Sequence, residues 1–128
     1  ARSRAAINGA AAAPAWALAP RPVNADDLLP ERVLVGDASA GTRLIAVAYD
    51  PIASAGGSLK ETVATFLDCG RSLELASRIM FVHANTVRYR LRKVAELTGW
   101  DVLSTRDAHV LETAFALGRL RDAAGASL

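Results

Sequence analysis

The chain has 128 residues, enough for one domain or one domain with a fragment of a neighbour. Apolar residues make up 52%, aromatics only 5%, and alanine is abundant, a composition that suits a small helical domain better than a β-sandwich. A formal charge of +2 identifies no partner by itself, and the single cysteine, Cys69, excludes both a disulfide framework and a thiolate metal cluster. No apolar run reaches the ~18–20 residues of a membrane span.

Residues 1–24 are rich in alanine and proline, with prolines at 14, 20 and 22, and read as a broken helix followed by a linker. Arg2 and Arg4 ahead of an alanine run superficially resemble a secretory signal, but Asn8, Gly9 and Pro14 interrupt it. A first residue other than Met suggests a remnant of an upstream region of a longer protein. Asn24 is placed to cap a turn through Asp26, Asp27 and Leu28. Pro30 suits the first position of a short helix ended by Gly36. The apolar run 43–49 has no second strand to pair with and is read as helix, followed by a flexible loop from Ala53 to Gly57.

From Ser58 the punctuation is cleaner. Ser58-Leu59-Lys60-Glu61 has the form of a capping box, with the serine oxygen accepting from the Glu61 N–H. Leu59, Val63, Phe66 and Leu67 then recur at helical spacing until Gly70, where Cys69 is expected to fill space as a small apolar group. Ser72 can cap the next helix, on which Leu73, Ala76, Ile79 and Met80 share a side. A connection of about three residues ends at His83, in the N-cap position of a helix over 84–98 stopped by Gly99. Ser104-Thr105-Arg106-Asp107 offers a second capping box. It opens a last helix with Ala108, Leu111, Ala114, Phe115 and Leu117 as its buried stripe.

The charge is unevenly spread. Residues 1–54 are neutral, 55–100 carry +3 and 101–128 carry −1. Four cations (Arg88, Arg90, Arg92, Lys93) crowd into six positions of the 84–98 helix, and the run 81–93 contains no acid. On a wheel of about 100° per residue, Val87, Leu91 and Val94 centre the face to be buried, with Leu97 just beyond. Asn85, Arg88, Tyr89 and Arg92 fall opposite, with Lys93 on a shoulder. A short helix, a tight connection and such a cationic helix outline a helix-turn-helix whose second helix enters DNA. Asn85 is placed to bridge adenine N6 and N7, and Arg88 to bridge guanine O6 and N7. With Thr86 and Tyr89 they are the expected base readers, while Arg92 and Lys93 are expected on phosphates. Arg90 flanks the buried stripe, where a salt bridge to Glu74 or another carboxylate competes with a phosphate. Tyr89 can instead cover its neighbours' stems, and His83 can serve a local hydrogen bond rather than a base.

No Gly-rich phosphate cradle, nucleophile elbow or pair of histidines at ligand spacing is present, so no enzyme activity, cofactor or metal is expected. Asp26 and Asp27 read as adjacent charges on a solvated loop. His109 has no second ligand nearby in sequence.

The strings Leu59-Lys60-Glu61-Thr62 through Phe66-Leu67-Asp68, then Phe81 to Leu91 with its His-x-Asn-Thr-x-x-Tyr-Arg core, then Leu97-Thr98-Gly99-Trp100-Asp101, resemble the C-terminal helix-turn-helix of PucR-type bacterial transcriptional regulators. The sugar-diacid regulators share that domain. The resemblance covers roughly residues 55–121; residues 21–52 resemble the stretch joining this domain to the family's central region. It implies a DNA-binding output domain, acting as a homodimer or larger assembly, with any effector bound by upstream domains. One position departs. Ala84 stands where the family usually has arginine, which removes a basic contact but suits a helix.

The expectation is therefore an all-α chain, a tri-helical helix-turn-helix core with an added C-terminal helix and short N-terminal helices. It divides into a remnant and linker (1–24), connecting helices (25–54), the DNA-binding domain (55–123) and a tail (124–128). The expected partner is double-stranded DNA, in a cytoplasmic, non-membrane protein, with His83 beside the readers named above. The rival readings are a helical interaction module that offers the same basic face to an acidic protein, and a DNA binder without sequence preference.

Overall fold

The structure, a computed structural model, describes residues 4–126. The first three positions of the expected remnant and the last two of the expected tail lie outside it. No strand occurs among the described residues, and the chain divides into two compact units, 1–44 and 45–128.

The first unit contains α1 (Arg4–Ala12), a 3-10 turn Ala13–Ala15, a second such turn Ala25–Leu28, α2 (Leu29–Leu34) and α3 (Ala38–Leu44). The alanine-rich segment is thus a broken helix, as its prolines require. Asn24 opens the second turn through its backbone carbonyl, which accepts from the Asp27 N–H at 3.0 Å; its side chain makes no cap. Pro30 lies in the first turn of α2, and Gly36 follows that helix with φ +85°. The unit's polar centre is Asp37. One carboxylate oxygen accepts from the Ser39 and Ala40 N–H groups and the Ser39 hydroxyl, and the other accepts from buried Arg32 at 2.8 Å. Ser39 and the Arg32 guanidinium hold this buried carboxyl far below the usual carboxylate range.

The second unit opens with a π-helical turn, Ile45–Tyr49, followed by α4 (Asp50–Ala55), α5 (Leu59–Asp68), α6 (Leu73–Met80), α7 (Ala84–Thr98) and α8 (Thr105–Ala126). The run 43–49 is helical, but it contains a wide turn that its apolar pattern does not signal, and the helix reaches Ala55, beyond the loop start expected at Ala53. α5, α6 and α7 pack mutually, α4 lies against α5 and α7, and α8 lies along the π turn. Phe66, Val63, Ala76, Val87, Leu91, Val94, Val102, Leu111 and Phe115 form the core at 2% exposure or less. Each large member contributes about 1.5–3 kcal/mol by leaving water. In α8 the buried stripe also includes Val110, outside the expected set, whereas Leu117 is only half-buried.

Two of the three expected serine caps form. Ser72 Oγ accepts from the Leu75 N–H at 3.1 Å. Ser104 Oγ accepts from the Asp107 N–H at 3.4 Å, although Asp107 returns its carboxylate to the Asp101 N–H instead of to Ser104. The Ser58 box does not form. Ser58 sits in the left-handed region at φ 62°, which turns its hydroxyl away from the first turn, and only its carbonyl serves α5, accepting from Thr62.

Candidate nucleic-acid interface

Helix α7 spans the residues its sequence pattern predicts. His83 caps its start, with Nδ1 accepting from the Asn85 N–H at 3.0 Å. Gly99, at φ +81°, closes it with its N–H on the Ala95 carbonyl. The turn between α6 and α7 is tight because Phe81 adopts φ 56° and the Val82 N–H returns to the Ser77 carbonyl at 3.1 Å. That conformation costs a non-glycine residue about 1–2 kcal/mol. Phe81 is 94% exposed, so burial of its ring within the chain offsets none of it.

Burial divides α7 as the wheel requires. Val87, Leu91 and Val94 are at most 2% exposed, and Asn85, Arg88, Tyr89, Arg92 and Lys93 are exposed. Leu97 and Ile79, expected on buried stripes, are instead about half exposed (48% and 52%). Thr86 is half-buried at the edge of the face.

Several polar side chains on and beside this face are held by one another and by α5. Arg88 Nη1 donates to Asn85 Oδ1 at 2.8 Å, so two of the expected base contacts are tied together. Lys93 lies 5.8 Å from the centre of the Tyr89 ring and 3.5 Å from Glu96, so Tyr89 covers a neighbouring cation while remaining half exposed. Arg90 makes no bridge to Glu74. It reaches across to α5 and donates to Thr62 Oγ1 at 3.4 Å, while Glu74 pairs with Arg78. An open groove of about 580 Å³ runs beside α7, lined by Gly57, Leu59, Tyr89, Arg90, Lys93 and Leu97 among others.

A residue that sequence reasoning misses is Arg71. It precedes α6 at φ 62°, and its guanidinium donates to the Val102 and Leu103 carbonyls (3.5 and 3.2 Å) and to Thr105 Oγ1 (3.0 Å). Its place just after Gly70 is the one local hint. No group of three or more histidine, cysteine or acidic residues suited to a metal occurs among the described residues, and no helix there is long and apolar enough to cross a membrane.

Helices α5 to α7, braced by α8, are a helix-turn-helix domain with a cationic second helix. Comparison with known proteins makes the class specific. Residues 59–117, in the second unit, match the PucR C-terminal helix-turn-helix domain family. Uncharacterized protein Rv2242 of Mycobacterium tuberculosis (strain ATCC 25618 / H37Rv) is 50% identical over 115 residues, 90% of this chain. Uncharacterized protein Mb2266 of Mycobacterium bovis is identical to the same extent. The chain spans 28% of the length of either relative. The crystal structure of the regulator of polyketide synthase expression from Bifidobacterium adolescentis is 46% identical, with a TM-score of 0.87, over 93% of this chain and 50% of that one.

Proposed function

We propose that the chain binds double-stranded DNA by sequence, with α7 seated in the major groove, and so regulates transcription. The observation that carries this reading is the division of α7, with three aliphatic side chains buried on one side and Asn85, Arg88, Tyr89, Arg92 and Lys93 exposed on the other. At about 1.5 Å per residue the helix is roughly 22 Å long, ample for a groove about 12 Å wide. Its first two turns (Asn85, Thr86, Arg88, Tyr89) meet base edges, with His83 beside them, and Arg92 and Lys93 meet phosphates.

The working assembly is a homodimer or larger, with half-sites about one helical turn (~34–36 Å) or a multiple of it apart. The DNA-binding domain proper is residues 55–123, and an effector ligand, if any, is bound by upstream domains. At Ala84, where the family usually has arginine, a basic phosphate or base contact is missing. The test is competition for a fluorescent duplex recovered by selection. The recovered site should displace it and a scrambled duplex should not; equal displacement would leave a binder without sequence preference, and none by either would leave the acidic-partner reading.

A further inference from the structure

We infer that Asn85 and Arg88 act as one reading unit whose target is guanine. The inference rests on the major-groove reading of α7 and adds the identity of the base. Arg88 Nη1 donates to Asn85 Oδ1 at 2.8 Å across one helical turn, and both side chains are exposed. The guanidinium is a permanent cation without an acceptor, so its partner in the amide is the oxygen, and the amide orientation follows from the charge. Beneath it, His83 Nδ1 holds the Asn85 N–H at 3.0 Å and fixes the backbone that carries the amide.

What the pair then offers outward is almost wholly donor in character. Two N–H bonds remain on the Asn85 amide and four of the five on Arg88. Adenine in the major groove presents an acceptor, N7, beside a donor, the N6 amino group, and needs a reader with one donor and one acceptor. The acceptor that Asn85 would supply is directed at a cation, and the guanidinium N–H groups beside it would meet the amino group donor to donor. Guanine presents two acceptors, N7 and O6, and fits the pair without such a conflict. Asn85 on its own is an adenine reader; coupled to Arg88 it reads guanine. Removing Arg88 should therefore change the letter, not merely blur it.

The experiment is selection of bound sites from a random duplex library by the chain, by Arg88→Ala and by Asn85→Ala. Affinity is then measured for the recovered site carrying guanine, 7-deazaguanine or adenine at the position that depends on Arg88. The parent is expected to prefer guanine over adenine by about ten-fold and to lose about as much with 7-deazaguanine, which lacks N7. Arg88→Ala should prefer adenine at that position, and Asn85→Ala should keep guanine with weaker discrimination. Circular dichroism of each variant guards against misfolding, which two exposed substitutions are not expected to cause. An adenine at the Arg88-dependent position in the parent, or an Arg88→Ala variant that loses preference without gaining adenine, overturns the inference and leaves major-groove reading intact. No enriched site from the parent removes that reading and this inference with it.

Discussion

Gly118 of α8 lies against the ring of Tyr49 in the π turn, so closely that a Cβ there would overlap the ring at Cδ2, Cε2 and Cγ. Phe115 meets the same ring edge-on at 5.2 Å, and the phenol donates to Asp122 at 2.7 Å, so the 1%-exposed ring has no room to withdraw. Alanine normally stabilises a helix interior over glycine by about 0.5–1 kcal/mol. Here Gly118→Ala is expected to destabilise the second unit by about 1–3 kcal/mol through overpacking. Thermal denaturation checks the sign, and an unchanged or raised midpoint would contradict the close contact.

Asp37 makes the first unit acid-sensitive. Its folded pKa is lowered, chiefly by the Ser39 and Arg32 hydrogen bonds. Its contribution is thus complete above the ordinary carboxylate range, about 3.9, and is lost as pH falls below it. Amide-exchange protection factors in α2 and α3 should fall below about pH 4 in the parent. Asp37→Ala, which leaves buried Arg32 without its carboxylate, should cost about 3–5 kcal/mol at neutral pH. Asp50 and Asp122, lowered by Arg121 and Tyr49 respectively, act in the same direction in the second unit, but they are half exposed and contribute less.

His83 is a cap as well as an expected DNA contact. His83→Ala should lower stability by about 1 kcal/mol, and His83→Ser should restore most of it. Comparing the two variants separates the roles. If DNA affinity recovers with serine, the cap accounts for the loss; if it does not, the imidazole itself touches the duplex.

Arg92 and Lys93 are expected to act on phosphates. Arg92→Ala should weaken binding uniformly across sequences and make the slope of log affinity against log salt shallower by about 0.9. Glu96 holds Lys93 at 3.5 Å, so Glu96→Gln should tighten binding by a few-fold at low salt and steepen that slope. A change in base preference for either variant would place these side chains on bases instead.

The bounds of α7 are legible in the sequence because its signals are local. A histidine cap, an unbroken 3.6-residue repeat and Gly99 act within one or two turns of where they sit. Ser58 shows how such a signal fails. Its capping box is present in sequence, but the left-handed backbone continued from Gly56 and Gly57 turns the hydroxyl away. The π turn at Ile45–Tyr49 is out of reach, since its partner Gly118 lies about seventy residues later. The partner of Arg90 is hidden for the same reason: Thr62 on α5 is invisible from α7's own pattern. At the interface, periodicity reveals the exposed set. It permits the Asn85–Arg88 bond, through a spacing of three residues on one face, but cannot choose that bond over separate solvated side chains.

Arg71 bolts the segment ahead of α6 to the loop behind α7 through three hydrogen bonds. The two-helix unit is therefore expected to meet a duplex already assembled, with the entropy of arranging it lost during folding rather than on binding. Encounter with a duplex should then be limited by diffusion and ionic attraction, with rates that fall as salt rises and show no lag from a disordered reader.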